Sequence, residues 1–178
     1  KVTVADGVIK KVNSITLNKS GVEATSVVFA AGDVTVDTLD VNANYVSVKN
    51  VKVTGNVTVT NKATNKVEFT GVAVTGDIIV DNKGTVAVAS LDNKFAQDNV
   101  GVEVVLNETT FANIIFRASA TLSGKANPAV ITVEGVVAVA LNLDGTIASL
   151  KVTDANAKVT LGANVKVTTL HLPAGTKA

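Results

Sequence analysis

Three glutamates and one arginine are the residues of this chain that could carry acid–base chemistry. Glu68 and Glu103 interrupt runs of alternating valines, Glu134 ends another such run, and Arg117 is the only arginine. Two carboxyl groups about 5–10 Å apart can cleave a glycosidic bond, one as acid and the other as nucleophile or base. The glutamates belong to different repeats, and the sequence does not predict which of them meet. We therefore expect solvated surface charges and no enzymatic activity.

Metal chemistry has two sets of candidate ligands. His171 is the only histidine and the chain has no cysteine, whereas zinc needs several such ligands. Calcium prefers Asp, Asn and carbonyl oxygens in a loop, but no EF-hand or Gly-rich nonapeptide spacing is present. We expect an outward-facing histidine, hydrated turn residues and no required cofactor, with calcium in a predicted loop at 91–100 as the alternative. That loop holds Asp92, Asn93, Asp98 and Asn99, and a second cluster is Asp33, Asp37, Asp40 and Asn42.

Sugar binding is the remaining chemistry that the residue types allow. Sugar rings stack on flat aromatic side chains, but the chain has no tryptophan and one tyrosine. A binding face would therefore be mainly polar, which suits weak, repeated contacts along a polymer. The candidate residues are Thr35, Tyr45, Ser47, Lys49, Lys52, Thr58, Glu68 and Phe95.

The elements that must position these side chains are short strands. Segments such as Val57-Thr58-Val59 alternate apolar and polar residues, which is typical of strands with one buried face. Val57 and Val72 are expected inside. Three segments also read alike, starting at Gly32, Gly55 and Gly76, 23 and 21 residues apart. A strand-rich repeat of this length indicates a solenoid with one repeat per coil.

We predict an all-β fold, a right-handed parallel β-helix of about eight coils, each of roughly 21 residues with three short strands. Asn44-Tyr45 and the glycines Gly55 and Gly76 are expected at corners in left-handed conformations. Asp33, Asn56 and Asp77 are expected to stack along one edge. A β-sandwich is the alternative, although it would not repeat its corner residues.

The whole chain, residues 1–178, is predicted to form one domain. Its most regular coils are expected at 32–90, with a strand at 86–88 and loops at 91–100 and 123–128. No cap is evident at either end of the solenoid, so neighbouring domains or stacked copies would cover the ends. The chain begins within the pattern, which we interpret as a piece of a longer protein.

Composition argues against two kinds of partner. The formal net charge is +1, from 16 basic and 15 acidic residues, and no basic stripe of the kind that binds nucleic acid is present. No apolar run approaches the roughly 18 residues of a membrane helix. Hydrophobic residues make up 47% and aromatic residues 3% of the chain. We expect no nucleic-acid partner, no membrane insertion and a core of Val, Ile, Leu and Ala.

The central segments Val51-Lys-Val-Thr-Gly-Asn-Val-Thr-Val-Thr and Val72-Ala-Val-Thr-Gly-Asp-Ile-Ile-Val-Asp resemble a known type of surface protein. The segments are similar to β-helical regions that follow S-layer homology domains in Gram-positive bacteria, and to the family 54 carbohydrate-binding module. The resemblance covers residues 32–90. It implies an extracellular, cell-surface location and a non-catalytic part of a larger protein, and it assigns no binding residue.

Three functions are consistent with these observations. The one we rank first is a non-catalytic module that binds a polysaccharide such as β-glucan, xylan, chitin or a cell-wall polymer. A structural spacer or S-layer-type protein without ligand is the alternative, favoured by the shortage of aromatics. A polysaccharide lyase or hydrolase ranks third.

Overall fold

The computed structural model describes residues 2–5, 8–81 and 101–176, and every regular element within these ranges is a β-strand. The predicted strand at 86–88 and loop at 91–100 lie outside these residues. The strands are β1 Val2–Ala5, β2 Val8–Leu17, β3 Val27–Ala30, β4 Thr35–Val41, β5 Val46–Lys49, β6 Lys52–Val53, β7 Val57–Thr60, β8 Lys66–Thr70, β9 Ala73–Val74, β10 Ile78–Asp81, β11 Val102–Asn107, β12 Asn113–Phe116, β13 Ala120–Lys125, β14 Val130–Val133, β15 Ala138–Leu143, β16 Gly145–Val152, β17 Lys158–Leu161 and β18 Val165–His171.

Two sheets are wound from these strands. Sheet 1 has the order β1-β2-β4-β7-β10-β12-β14-β16-β18, with β6 and β9 beside it, and sheet 2 has the order β3-β5-β8-β11-β13-β15-β17. From β2 onward the strands of each sheet follow one another in chain order, and every pairing between described strands is parallel except β1 with β2. The fold is therefore a parallel β-solenoid, as predicted, with about seven turns.

The solenoid has about seven turns, close to the predicted eight, and one of its turns takes more residues than the others. Val67 of β8 pairs directly with Val104 of β11, and Ile78 of β10 pairs with Ile114 of β12. The chain advances 37 and 36 residues between these partners. Elsewhere one turn takes between 17 and 24 residues. The shortest separates Val36 from Val53, and the longest separates Val12 from Val36.

Within the ranges that the structure describes, three strands per coil occur only where β6 and β9 are present. Thr35–Val36 of β4 pairs with β6, and Leu39–Val41 of the same strand pairs with β7. One continuous strand in the earlier coil thus spans what two short strands span in the next. The coils after β10 have one strand in each sheet.

The core lies between the sheets and is built from apolar side chains stacked in register. In sheet 1 the stack is Leu39, Val57, Ile78, Ile114, Ile131 and Leu150. All are at most 2% exposed, and full burial of one such side chain contributes about 1.5–3 kcal/mol. Val57 and Val72 are buried as predicted, at 0% and 1% exposure.

The register corrects the repeat that begins at Gly32. Leu39 pairs with Val57, so the residue aligned with Asn56 is Thr38, and Asp33 does not join the edge stack. Gly55 and Gly76 are in register, since Val57 pairs with Ile78. Inward stacking of the apolar side chains sets the register between coils. The Gly32 segment therefore resembles the Gly55 and Gly76 segments in composition but does not occupy the same position in its coil.

The left-handed corner predicted at Asn44-Tyr45 is confirmed at Tyr45, with φ of 52°, but the two predicted at glycines are not. Gly55 and Gly76 are not among the positive-φ residues, whereas Asn50, Gly71 and Glu108 have φ of 51°, 63° and 50°. These three follow the register partners Lys49, Thr70 and Asn107, so one corner repeats its left-handed residue over three coils. At Gly76 the reason for glycine is space, because a Cβ there would meet the Gly55 carbonyl oxygen at 2.7 Å.

Two further expectations concern a loop and the ends. Ser123–Lys125 belong to β13 because they pair with Val105–Asn107, so the loop predicted at 123–128 is wrong for its first half.

At the beginning of sheet 1, β1 lies antiparallel on β2. At the other end, Leu161 and Leu170 continue the inward stacks but are 48% and 53% exposed, so the described residues leave this end uncovered.

Candidate functional site

The predicted sugar-binding residues are divided between the two sheets. Ser47 pairs with Glu68, and Lys49 follows on the same strand of sheet 2. Thr35 pairs with Lys52 in sheet 1, and Thr58 lies on β7 of that sheet. The eight candidates therefore do not form one site. Tyr45 stands at the corner before β5 with φ 52°, and Phe95 lies outside the described residues.

Glu68 and Glu103 are brought together on the outer face of sheet 2. Their strands, β8 and β11, are neighbours, with Glu103 opposite Lys66 and Glu68 opposite Val105. The two glutamates are thus diagonal neighbours, with Cα atoms about 8 Å apart from the strand spacing and rise. Glu134 is not part of this arrangement. It directly follows β14 of sheet 1, where its Oε2 accepts a 2.8 Å hydrogen bond from Arg117 Nε.

Neutral donors hold both carboxylates of sheet 2. Glu68 Oε1 accepts hydrogen bonds from Asn107 Nδ2 at 3.4 Å and Thr70 Oγ1 at 3.5 Å. Glu103 Oε1 accepts one from Ser123 Oγ at 3.0 Å. All these side chains are half-buried. The ion pairs found in the described ranges involve other residues, so these carboxylates are ordered without a cationic partner.

Ser47 adds an unusual hydroxyl to this face. It lies between the core residues Val46 and Val48 and directly across from Glu68, so alternation turns it outward. It is nevertheless only 4% exposed, and its hydroxyl has no hydrogen-bond partner in the described structure.

We call Ser47, Glu68, Glu103 and Ser123 the polar row. These residues lie on the consecutive strands β5, β8, β11 and β13 of sheet 2, which span about 14 Å of the solenoid axis at the usual strand spacing. Ser47, Glu68 and Ser123 share one register position, which is occupied on β11 by Val105, and Glu103 lies two residues to the side of it. One strand further, Asn142 pairs with Ser123. Asn142 also lines an open groove of about 220 Å³ with Leu143, Gly162, Ala163 and Asn164. The row thus leads to a shallow groove near the last coil.

Sequence reasoning missed the residues that support the glutamates. The sequence pattern predicts a loop at Ser123 and assigns no role to Thr70 or Asn107. One sequence feature could have identified Thr70 and Asn107. Each is the last residue of its strand, and the two occupy the same register position. Recognising it requires knowing that β8 and β11 are adjacent, which the long connection between them hides.

The side chains of the second acidic cluster, Asp33, Asp37, Asp40 and Asn42, do not converge on one site. Asp37 and Asn42 have different hydrogen-bond partners. Asp37 Oδ1 is 2.8 Å from Lys11 Nζ and accepts a 2.6 Å hydrogen bond from Thr54 Oγ1. These hydrogen bonds, that from Lys11 first, lower the pKa of Asp37. Asn42 instead contacts Asn18 and Thr60. The described residues contain no group of three or more metal-binding side chains, and the candidates at 92–99 lie outside them.

Two other side chains on sheet 1 complete the survey of charged groups. Hydrogen bonding to Glu134 raises the pKa of Arg117, with a smaller contribution from the charge of Asp81. His171 pairs in register with Lys151 and is exposed, as alternation predicted. His171 belongs to β18 of sheet 1 and Arg117 directly follows β12 of that sheet, so neither residue lies on sheet 2, which carries the polar row.

Aromatic stacking surfaces are scarce in the described part of the chain. Phe69 and Phe116 are fully buried, and Phe29 and Phe111 pack partly buried against the core. Only Tyr45 has an aromatic ring outside the core cluster among these residues, and it is half-buried. Any sugar contact on the described surface therefore depends mainly on hydrogen bonds.

Comparison with known proteins gives no identification. The described residues include no helix of the length and apolarity needed to cross a membrane. Neither the family models nor the curated proteins nor the solved structures include a match to this chain.

Proposed function

We propose that the chain is a non-catalytic module that binds a polysaccharide along the outer face of sheet 2, within a larger protein at the cell surface. The polar row is the observation that supports this proposal. It places two half-buried carboxylates, the half-buried Ser123 hydroxyl and the covered Ser47 hydroxyl on four successive strands, so polar groups recur along the solenoid axis. A polymer lying parallel to that axis would meet several of them at once.

Carboxylates suit this role because sugar hydroxyls are neutral hydrogen-bond donors. Hydrogen bonds to an ionised acceptor are roughly twice as strong as neutral ones. Glu68 and Glu103 are already held by Asn107, Thr70 and Ser123, which limits the side-chain entropy lost on binding. Weak contacts repeated along a chain add through effective concentration. The location follows from the resemblance of residues 32–90 to β-helical surface segments.

A structural spacer is the second candidate, and a specific observation favours it. The four described phenylalanines pack in or against the core, so the aromatic platforms common in sugar sites are not offered by them. A hydrolase ranks below both, because the carboxylates stand on an open sheet face where water is not excluded from a reaction.

Retention on insoluble polymers tests the proposal. The purified chain is mixed with β-glucan, xylan, chitin and cell-wall preparations, and depletion from solution is measured. We expect retention on at least one polymer and about a tenfold or larger loss of affinity in the Glu68→Gln/Glu103→Gln double variant. Glu134→Gln, on sheet 1, is the matched control and should bind normally. Absence of retention on every polymer would favour the spacer, and reducing-sugar release that the double variant abolishes would favour the enzyme.

A further inference from the structure

We propose that Ser47 and Glu68 form the primary subsite of the polar row and bind two neighbouring hydroxyl groups of one sugar residue. This inference rests on the polysaccharide-binding function proposed above and names its central contact. It starts from Ser47, whose hydroxyl is buried without a partner in the described structure. An unsatisfied buried polar group lowers stability, so its presence calls for an explanation.

The hydroxyl lies on the ligand-binding side of sheet 2. Val46 and Val48, on either side of Ser47 in β5, are 1% and 0% exposed in the core. Successive side chains of a strand point to opposite faces, so Ser47 points outward. Glu68 is its direct partner in register on β8, about 4.8 Å away at the usual strand spacing. A donor–acceptor hydroxyl and a carboxylate therefore stand side by side.

Glu68 keeps accepting capacity for a ligand. Its two described hydrogen bonds, from Asn107 and Thr70, are long and both reach Oε1. An ionised carboxylate has about four acceptor positions, so Oε2 can accept from a sugar hydroxyl. Ser47 can then donate to a second hydroxyl of the same ring or accept from it. The two residues together bind a pair of adjacent sugar hydroxyls.

Sugar fits this subsite better than a cation does. Every described partner of Glu68 and Glu103 is a neutral amide or hydroxyl, the donor class to which sugar hydroxyls belong. Calcium needs six to eight oxygen ligands, and this flat face offers few. Lys49 and Lys66 flank the pair on the same two strands, and their positive charges oppose a cation.

Binding at Ser47 includes a side-chain movement. The hydroxyl oxygen is covered in the unliganded chain, so a neighbouring side chain must turn aside when the sugar arrives. Rotamer changes of this kind are common at binding surfaces whose backbone stays fixed. The ligand then satisfies a group that the free protein leaves unsatisfied.

The test compares Ser47→Ala and Glu68→Gln with Ser149→Ala, a half-buried serine of sheet 1. Thermal unfolding and affinity for the polymer that retains the wild type are both measured. For Ser47→Ala we expect a Tm raised by about 2–4 °C, because the unsatisfied group is gone, together with about a fivefold or larger loss of affinity. Glu68→Gln should lose about tenfold or more, and Ser149→Ala should bind as the wild type does.

Affinity decides the outcome. Wild-type retention with unchanged affinity in Ser47→Ala and Glu68→Gln overturns the subsite and leaves polysaccharide binding in place. Absence of wild-type retention overturns both. A calcium titration tests whether Ser47 and Glu68 bind a cation instead of a sugar. A rise in the wild-type Tm that Glu68→Gln abolishes would assign these two residues to a cation and overturn the sugar subsite.

Discussion

Asn56 and Asp77 are joined by a hydrogen bond between successive coils: Asn56 Oδ1 accepts it from the Asp77 backbone N–H at 2.9 Å. Asp77 Oδ1 in turn accepts a 2.7 Å hydrogen bond from Asn113 Nδ2 on the next coil. The stack alternates amide, carboxylate and amide, so no two carboxylates are adjacent. Polar stacking of this kind satisfies corner groups that the sheets leave unpaired.

Asn56→Asp should destabilise the solenoid through charge repulsion. The new carboxylate would lie one strand spacing from Asp77, and like charges on directly neighbouring strands are unfavourable by roughly 0.2–1 kcal/mol. The loss should be largest at low ionic strength and shrink in about 1 M salt, where the Debye length is about 3 Å. Denaturant unfolding at both salt concentrations measures it, with Asn65→Asp at an exposed corner position as control. A loss independent of salt would contradict the charge explanation.

Ile78 and Ile79 provide a matched test of which face is buried. Ile78 is 0% exposed in the core, and Ile79, the next residue of β10, is half-exposed on the outer face. Ile78→Ala should lower the free energy of unfolding by about 2–5 kcal/mol, because it removes core contacts and leaves a cavity. Ile79→Ala should cost less than about 1 kcal/mol. Equal losses measured by chemical denaturation would contradict the assigned faces.

Asp37 should make the stability depend on acid pH. Its folded-state pKa is lowered below 3.8 by hydrogen bonds from Lys11 and Thr54, so it stabilises the fold above its unfolded-state pKa. That contribution is lost as the pH falls from about 4 through the folded pKa. Asp37→Asn should thus be less stable than the wild type at pH 7, and the difference should shrink as the pH falls below about 4. Tm values across this range measure it, and a difference that persists in acid would refute the ion-pair origin.

Gly71 and Gly135 separate crowding from backbone strain. Both have positive φ, at 63° and 81°, but a Cβ at Gly71 would meet Asn50 Oδ1 at 2.5 Å, whereas one at Gly135 would meet nothing within 4 Å. Gly135→Ala should cost about 1–2 kcal/mol from the left-handed backbone alone. Gly71→Ala should cost more, and the excess should disappear in an Asn50→Gly background, where the contact is removed and the left-handed backbone at position 50 is kept without strain. Equal costs for both single variants would show that the stacked corner tolerates a methyl group.

Local patterns allowed correct prediction of the strands and of their buried faces. Alternation placed Val57 and Val72 inside and Glu68 and His171 outside, because a strand has a side-chain period of two. The 21-residue spacing of Gly55 and Gly76 matched one true coil. The Gly32 segment predicted a wrong register because it resembles these repeats in composition alone. The strand β4 is continuous at the position where the next coil is divided into β6 and β7.

The sequence by itself determined that this chain forms parallel strands wound around a narrow, mainly aliphatic core, to which the structure adds the fully buried Phe69 and Phe116. The tertiary structure alone decided which outward side chains meet. Glu68 and Glu103 are 35 residues apart in the chain, yet they lie on adjacent strands because β8 pairs with β11 across the long connection. Alternation is a local property of the backbone, whereas register between coils depends on how many residues each turn consumes, and these turns consume different numbers.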